Sequence, residues 1–401
     1  SRAKSFLFKY MNYYSLNKLK TCRFAYWCIF LFLGFLVLLG LASSAYMEHE
    51  GHYVTGMNNQ IVWGLPHIFA VTLIVIASGV LNIASMSSAF NKKLYKPLAP
   101  LSALFAIAFL IAGLVILVLD LGRPDRLIVA MTTYNFKSIF AWNIFLYSGF
   151  FVILAIYIWT MLDFNVNKYS SIVGKLAFGW RIILTTGTGS IFGFLVAREA
   201  YSTAVLAPLF IIMSLLYGTA VFYILLRIIS KLQNIIISNE IIINIRRLMI
   251  IFLLANIYFL ILYHITNLYI SKQVAVESFI LLNGGGYTTM FWLGQVGIGL
   301  LVPLLFEITN NENREFPLTL TSIMVLVGGF FSVAVIIIGG QAFPLNIFPD
   351  YTILESSFFD NQIHSYTPSI LEFGLGIGGT ALALIIILIL ITNLKFIPTN
   401  K

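Results

Sequence analysis

The chain has 401 residues, of which 60% are hydrophobic and only 10% are charged, and its mean hydropathy is +0.94. Because soluble domains carry about 25% charged residues, this composition excludes a soluble protein and predicts an integral membrane protein. The formal net charge is +9, and a basic excess in a membrane protein is usually concentrated in its cytoplasmic loops. We therefore expect the chain to be surrounded by membrane lipid. Nothing in the sequence predicts nucleic-acid binding.

About ten stretches nearly free of Asp, Glu, Lys and Arg are long enough to cross a membrane, which takes about 20 apolar residues. The connections between them are too short to bury a core of their own, and the first stretch lacks a small-residue cleavage site, so we expect a retained helix there. The sequence thus predicts an all-α integral membrane protein, a single domain over residues 1–401. We expect its helices at residues 24–46, 62–90, 98–120, 138–162, 176–197, 202–226, 248–270, 286–306, 318–341 and 370–394.

The distribution of basic residues predicts the orientation of the chain. If the N-terminus lies in the cytoplasm, 18 of the 24 Lys and Arg residues fall on the cytoplasmic side, five on the opposite side, and Arg181 inside a helix. This asymmetry follows the positive-inside rule. We therefore expect a multi-pass protein of the bacterial inner membrane with both termini in the cytoplasm.

Most of the unusual polar side chains fall at the predicted outer ends of the first six helices. Polar and ionisable groups at membrane depth are costly, and they tend to mark functional pathways. The sequence therefore predicts a functional site at the outer face. The residues collected there are Glu48, His49, His52, His67, Asp120, Arg123, Asp125, Arg126, Ser138, Trp142, Arg198, Glu199 and Tyr201.

Asp120 is predicted at the C-terminal end of the third helix, where the helix dipole disfavours a carboxylate. Burial would raise the pKa of this carboxyl, whereas Arg123 and Arg126 would lower it, so the sequence does not fix the direction. A carboxyl under such opposed forces is a candidate proton acceptor. The alternative is that Gly122 and Pro124 end the helix while Asp120 pairs with an arginine to hold the loop.

His67 follows Pro66 in the first turn of the second helix, where the positive helix end favours a neutral imidazole. A neutral imidazole can both donate and accept a hydrogen bond, which suits a site of proton exchange. The alternative is a purely structural hydrogen bond. Other residues have simple structural interpretations: His49 and His52 as solvated loop residues, Trp142 as an interfacial anchor, and Glu372 as an ordinary acid at a helix N-terminus.

Cysteine content limits the redox chemistry of the chain itself. Cys22 and Cys28 are its two cysteines, which is too few for an iron–sulfur cluster or a structural zinc site, and neither belongs to a haem-attachment motif. We therefore expect no iron–sulfur cluster, structural zinc or covalently attached haem on this chain, and any metal redox centres on partner chains.

Three motifs carry a resemblance to a known family: L-D-L-G-R-P-D-R-L at 119–127, N-F-K-S at 135–138, and Trp142. A helix that ends in an acid, then Gly-Arg-Pro, then a short loop to Asn and Ser at the next helix resembles the NrfD/PsrC family, the membrane subunits of polysulfide-reductase-like complexes. Ten helices resemble its long branch. The wider stretch from 54–70 through 140–147 is most similar to DsrP-type subunits of sulfite-reductase-associated electron-transfer complexes.

The resemblance implies two four-helix bundles, helices 2–5 and 6–9, flanked by helices 1 and 10. It also implies a quinone, menaquinone or ubiquinone, as the substrate near the outer face, and no bound haem. The implied partners are a periplasmic ferredoxin-like iron–sulfur subunit and further cytochrome c or catalytic subunits. We therefore predict catalytic roles for His67 and Asp120, and quinone-binding or supporting roles for Arg123, Ser138, Trp142, Arg198 and Glu199.

A weak internal repeat bears on the second bundle. Pro66 and Pro208 align the starts of helices 2 and 6, and in that register Leu209 and Leu262 stand where His67 and Asp120 stand in the first bundle. The alignment predicts that the second bundle lacks the ionisable pair.

Three functions compete at this point. The leading hypothesis is a quinone-reactive subunit of an oxidoreductase complex, not a complete enzyme alone. A second is a cytochrome that uses His67 and His264 as axial ligands of a b-type haem, which an optical spectrum would reveal. The third is an anion transporter, although carriers usually place their polar sites at the bilayer midplane and this chain concentrates charge at one interface.

Overall fold

The computed structural model describes residues 16–19, 23–233, 236–310, 315–345 and 362–398. In this part of the chain the only strands are Leu16–Asn17 and Ile397–Pro398, which pair antiparallel, and the predicted all-α fold is confirmed. The long helices are α1 (Arg23–Glu50), α2 (Leu65–Ser88), α3 (Lys93–Leu119), α4 (Ile139–Leu162), α5 (Ser170–Gly193), α6 (Leu206–Gln233), α7 (Asn239–Tyr269), α8 (Gly286–Thr309), α9 (Pro317–Ala342) and α10 (Ile370–Asn393).

Every one of these helices except α5 is long and apolar enough to cross a membrane. Helix α5 carries Lys175 and the buried Arg181, whose Nη1 donates to the Ser78 carbonyl at 3.1 Å. The Arg181 guanidinium also lies 5.2 Å from the centre of the Phe178 ring. These contacts accommodate the Arg181 charge between helices. Helix α5 is therefore packed among the nine candidate membrane spans of the described part of the chain as a tenth long helix. The protein is a multi-pass integral membrane protein.

The helices pack as two four-helix bundles. Helix α2 packs against α3, α3 against α4, and α4 against α5; in the second bundle α6 packs against α7 and α9, and α8 against α9. The bundles meet where α6 contacts α2 and α5. The contact is close at Gly79, where an added Cβ would lie 1.6 Å from the Ser214 carbonyl oxygen. Helix α1 packs on α10, which covers α2 and α3, so the two bundles have the flanking helices that the resemblance implies.

The chain alternates direction, which collects its connections at two ends. At the end that we call the site end, α1 finishes, α2 begins and α3 finishes, so His67 and Asp120 share one depth. The opposite end, called the basic end, holds the α2–α3 connection at 89–92 and the start of α7. Lys92, Lys93 and Arg247 lie there.

Helix α7 begins at Asn239 rather than near residue 248 as the sequence predicts, for two reasons. Ser238 caps it by accepting a hydrogen bond from the Ile241 amide at 3.4 Å, a common way to begin a helix. Arg246 then lies inside the helix, because its Nε pairs with Glu307 Oε2 at 2.8 Å. Cys22, on which the prediction about redox chemistry draws, and residues 346–361, between α9 and α10, lie outside the described residues.

Candidate functional site

His67 and Asp120 meet at the site end. Nδ1 of His67 lies 2.7 Å from Oδ2 of Asp120, and the side chains are 21% and 1% exposed. The contact is electrostatic rather than an aligned hydrogen bond, since neither Asp120 carboxylate oxygen has a hydrogen-bond partner among the described residues, and neither does His67 Nδ1. The buried carboxylate therefore keeps its full capacity to accept hydrogen bonds, which is unusual for a buried polar group.

A second imidazole borders the same carboxylate. His52, in the loop between α1 and α2, places Nε2 3.1 Å from the Asp120 carbonyl oxygen and 3.9 Å from its Oδ1. The His52 side chain is 30% exposed, so it connects the buried acid with the surface. The prediction of a merely solvated loop residue is incomplete, because only the fold brings that loop over the end of α3.

Trp63 forms the aromatic wall of the site. Its ring stacks on the His67 imidazole with a centroid separation of 5.8 Å and an interplanar angle of 21°. Phe192 of α5 and Phe140 of α4 meet the Trp63 ring edge-on at 5.7 and 6.2 Å. The site therefore combines a polar group of histidines and acid with an apolar wall. Trp63 is not among the residues that the sequence predicts for the site.

The backbone of Trp63 is held by Gln341, at the end of α9. Gln341 Oε1 accepts from the Val62 and Trp63 amides at 3.0 Å each, and Nε2 donates to the Trp63 and Ile337 carbonyls at 2.9 Å each. Gln341 is 1% exposed, so all of its amide hydrogen bonds are made away from water. The second bundle thus fixes the chain that leads into α2.

Arg198 supports the same loop. Its Nη2 donates to the Gln60 carbonyl at 2.6 Å and its Nη1 to the Gln341 carbonyl at 3.0 Å. Burial lowers the pKa of Arg198 from its usual value. Gln60 in turn donates from Nε2 to the Ala342 carbonyl at 2.8 Å. Arg198 therefore acts on the backbone of the loop that carries Trp63, and its predicted role in the site itself stays a prediction.

Glu372 and Tyr366 hold the other side of this loop. Glu372 is fully buried, and its Oε2 accepts from the Gly56 and Ser369 amides at 2.9 and 2.7 Å. The Tyr366 hydroxyl donates to Glu372 Oε1 and accepts from the Leu65 amide at 2.6 Å, in the first turn of α2. The expectation that Glu372 is an acid at a helix N-terminus is confirmed, but it is incomplete. Besides forming a capping box with Ser369, it ties α10 to the start of the helix that carries His67.

Tyr366 is also an electrostatic neighbour of the site. Burial is the largest cause that raises its pKa, followed by the negative charge of Glu372, with a smaller contribution from Asp120. Tyr366 therefore remains a neutral hydroxyl that donates hydrogen bonds at physiological pH.

Arg123 pairs with Asp125 rather than with Asp120, so its predicted supporting role in the site stays a prediction. Its Nε lies 3.2 Å from Asp125 Oδ1, and both side chains are well exposed, at 65% and 62%. This pairing raises the pKa of Arg123 and lowers that of Asp125. The cause is local: Pro124 begins a single turn after α3, and the flanking Arg123 and Asp125 meet across it. No ion pair joins Arg123 and Asp120 in the described part of the chain.

Three other predicted residues make no bond to His67 or Asp120 within the described ranges. Ser138 precedes α4 without a side-chain capping bond. Trp142 is half-exposed and its Nε1 donates to the Phe136 carbonyl at 2.9 Å, which holds the loop before α4. Glu199 lies partly buried in the loop between α5 and α6. Their roles in the site stay predictions.

The second bundle has an ionisable pair of its own, so the prediction from the repeat is wrong. His264 Nδ1 lies 2.6 Å from Glu277 Oε2, and Asn267 Nδ2 donates to Glu277 Oε1 at 2.7 Å. The pair joins α7 to the short helix Val274–Ser278, and the register through Pro208 does not align these elements. His67 and His264 are each held by a carboxylate of their own bundle, an arrangement that gives no support to a shared haem.

Among the described residues, no group of three or more His, Cys, Asp or Glu side chains could hold a metal ion. The site that the fold forms is a buried acid, Asp120, between two imidazoles and beside an aromatic ring.

The comparison with protein families covers this site and both bundles. The family model of NrfD, described as polysulphide reductase, matches residues 53–345, which include α2 to α9 and the loop that carries Trp63. The chain belongs to the NrfD family. The match ends before α10, so Tyr366 and Glu372 lie beyond the part of the chain that the NrfD model describes.

Curated relatives of this NrfD-family chain extend over nearly its whole length. The Hdr-like menaquinol oxidoreductase integral membrane subunit of Archaeoglobus fulgidus is 27% identical over 387 residues, 95% of this chain and 96% of the relative. A selenate reductase subunit of Mesobacillus selenatarsenatis is 22% identical, with 93% and 94% covered. A putative dimethyl sulfoxide reductase membrane subunit of Halobacterium salinarum is 24% identical, with 92% and 90% covered.

Proposed function

We propose that this NrfD-family chain is the quinone-reactive membrane subunit of a respiratory or sulfur-metabolism redox complex. The observation that carries the proposal is the buried Asp120 carboxylate, which lies 2.7 Å from His67 and has no hydrogen-bond donor of its own among the described residues. Quinone chemistry moves two electrons and two protons per molecule. The site must therefore provide groups that exchange protons within hydrogen-bond reach of the substrate oxygen.

The residues of the site fit a quinone in two respects. Asp120 and His67 offer open hydrogen-bonding capacity on one side, as a carbonyl or hydroxyl oxygen requires. The stacked Trp63 and the neighbouring Phe140 and Phe192 offer an apolar wall on the other, as a planar ring requires.

His67 and Asp120 would divide the proton handling between them. The imidazole, 21% exposed, faces the substrate side, whereas the carboxylate, 1% exposed, lies behind it. Nδ1 of His67 is buried against Asp120, so His67 would take a proton at Nε2, and the resulting imidazolium is stabilised by the Asp120 charge beside Nδ1. His52, at 30% exposure, then offers the path from the buried acid to water.

We place the metal redox centres on partner chains. The relatives are named as subunits of menaquinol, selenate and dimethyl sulfoxide enzymes, which supports membership in a multi-subunit complex. The partner that we propose is a periplasmic ferredoxin-like iron–sulfur subunit, with cytochrome c or catalytic subunits beyond it. The DsrP-type assignment and the identity of the quinone stay predictions.

The proposed topology puts the site end on the periplasmic side of the bacterial inner membrane and both termini in the cytoplasm. The support is the excess of basic residues at the opposite end. In a background without the native cysteines, Tyr53→Cys should react with a membrane-impermeant reagent from the periplasm, and Lys168→Cys only after the cytoplasmic side is opened. The reverse pattern would place the site on the cytoplasmic side and would rule out the proposed periplasmic partner.

The direct test replaces Asp120 by Asn in the intact complex. This change keeps the shape and removes the titrating proton, so quinone-linked turnover should fall by about 10²- to 10⁴-fold, as for the loss of a general acid–base group, while the complex still assembles. Asp125→Asn is the matched control, because Asp125 is exposed and pairs only with Arg123 among the described ion pairs, and turnover should stay near the wild-type rate. Normal turnover in Asp120→Asn would refute the proposed role of the acid.

A further inference from the structure

A cavity of about 340 Å³ opens at the basic end, far along the helices from His67, between the α2–α3 connection and the first turns of α7. Its volume lies within the range of small-molecule sites, about 300–1,000 Å³. The polar and charged side chains that line it are Lys92, Lys93, Tyr95, Glu240, Asn244 and Arg247. The quinone chemistry proposed above uses none of them.

The charge of the lining favours an anion. The lining includes three cations, Lys92, Lys93 and Arg247, and one acid, Glu240. The fold brings the cations together from two elements: Asn91 adopts a left-handed conformation with a φ of 54°, which Asn tolerates better than most residues. This turn directs the chain back over the end of α2, where the Lys92 amide donates to the Met86 carbonyl at 2.9 Å.

Tyr95 points to a hydrogen-bond acceptor in the cavity. Its side chain is 2% exposed, yet its hydroxyl makes no hydrogen bond of normal geometry among the described residues. The Asn244 side chain of α7 is its hydrogen-bonding neighbour, but the geometry of that contact is poor. A buried hydroxyl without a well-formed hydrogen bond is costly, and a ligand with acceptor oxygens would satisfy it. Phosphate oxygens only accept, so a phosphate would suit the Tyr95 hydroxyl and the three cations together.

The remaining walls favour a lipid over a free anion. Met86, Leu94 and Leu248 also line the cavity. The cavity lies near the ends of apolar helices long enough to cross a membrane, where lipid headgroups are expected. Basic pockets between membrane helices on the cytoplasmic side are known to hold anionic headgroups. A cationic rim above an apolar wall matches a headgroup with the first carbons of its acyl chains.

We propose that this cavity binds the phosphate headgroup of an anionic phospholipid, held by Lys92, Lys93 and Arg247 and by a hydrogen bond from Tyr95. The lipid would join the α2–α3 connection of the first bundle to α7 of the second. This site is independent of the quinone site at the opposite end, so either proposal can fail without the other.

The test uses the full complex, delipidated in detergent and then titrated with phosphatidylglycerol. Binding to the folded state raises the melting temperature with ligand concentration, so the melting shift reports affinity. The triple variant Lys92→Gln, Lys93→Gln, Arg247→Gln should weaken phosphatidylglycerol binding by roughly 100-fold, because each cation contributes about fivefold to the affinity and the three factors multiply. The matched control is Lys168→Gln, Lys175→Gln, Lys395→Gln, which removes three exposed cations that do not line the cavity, and it should bind like the wild type.

Tyr95→Phe removes only the hydroxyl. The delipidated variant should melt close to the wild type, because the hydroxyl makes no hydrogen bond of normal geometry among the described residues, but phosphatidylglycerol should raise its melting temperature less. A smaller lipid-induced shift at unchanged basal stability is a signature that a purely structural tyrosine would not give.

Two further titrations identify the ligand. Phosphatidylcholine, which has a phosphate but no net charge, should give a much smaller shift than phosphatidylglycerol. Inorganic phosphate alone should give little shift, since it lacks the acyl chains that contact the apolar wall. Equal shifts with inorganic phosphate would overturn the lipid assignment, and equal phosphatidylglycerol affinity in the triple variant and its control would overturn the site.

Discussion

The carboxylate of Asp120, at the end of α3, and the imidazole of His67, in the first turn of α2, come within 2.7 Å of each other. One residue stands where the helix dipole is negative and the other where it is positive. The negative end of the α3 dipole disfavours the Asp120 carboxylate. Among the described residues, the His67 imidazole is the group that contacts Asp120 Oδ2. The two residues therefore depend on each other. Replacing Asp120 should lower quinone-linked turnover, and replacing His67 should weaken quinone binding.

His67→Ala should weaken quinone binding, because it removes the partly exposed polar group that faces the substrate side. We expect the KM for quinol to rise by at least about tenfold, the cost of one hydrogen bond to a charged or polar partner. Steady-state kinetics in membranes that contain the intact complex would measure it. His49→Ala is the control, since the His49 side chain is 83% exposed and pairs only with Glu50 among the described ion pairs. An unchanged KM in His67→Ala would remove His67 from the site.

Arg123→Gln should leave quinone turnover near the wild-type rate, because Arg123 pairs with Asp125 and not with Asp120. The pair lowers the pKa of Asp125, so its stabilisation is present above the ordinary pKa of a carboxyl and is lost as the pH falls through the lowered value. Both groups are fully solvated, and the effect on melting should be slight and reduced by salt. A large loss of turnover at normal assembly would restore Arg123 to the site.

Tyr366→Phe should loosen the start of α2. The change leaves the Leu65 amide without its acceptor and Glu372 with one donor fewer, which costs about 1–3 kcal/mol for a buried group. We expect a lower melting temperature of the complex and a raised KM for quinol. Tyr53→Phe is the matched control, because Tyr53 is 77% exposed. If both variants melt and turn over alike, the Tyr366 hydroxyl has no part in positioning His67.

Glu277→Ala should destabilise the second bundle without a specific effect on quinone chemistry. It leaves His264 and Asn267 without their shared carboxylate, and removing one partner of a buried pair costs about 3–5 kcal/mol. The melting temperature and the amount of assembled complex should fall, while turnover per assembled complex stays close to normal. Loss of turnover without loss of stability would instead assign His264 and Glu277 to the reaction.

The helices could be predicted from the sequence because membrane spans are runs of apolar residues, a local property of the chain. His67 and Asp120 could be placed at one depth for the same reason: the alternation of spans decides which helix ends share a face. The sequence also suggests that Arg123 acts on the charge of Asp120, but a charge nearby in sequence need not be a neighbour in space, and the turn at Pro124 directs Arg123 to Asp125. The supporting role of Arg123 in the site stays a prediction.

The residues that hold the site could not be predicted, because Gln341 and Glu372 depend on partners hundreds of residues away and Trp63 has no distinctive sequence pattern. Gln341 looks like an ordinary polar residue at a helix end, and its importance lies entirely in the backbone of Val62 and Trp63. Glu372 satisfies a local capping pattern, which hid its bond to Gly56. Trp63 is one aromatic residue among many, and only the position of His67 distinguishes it.

The amide of Gln341 has a consequence for biosynthesis. Val62, whose amide donates to it, precedes it by 279 residues, so the loop that carries Trp63 waits for almost the entire second bundle before its hydrogen bonds form. Domains emerge from the ribosome in order of sequence, and the first bundle can insert early with His67 and Asp120 already in the membrane. The proposed quinone site nevertheless stays unfinished until α9 arrives, so a chain that ends before Gln341 would lack the hydrogen bonds that hold Val62 and Trp63.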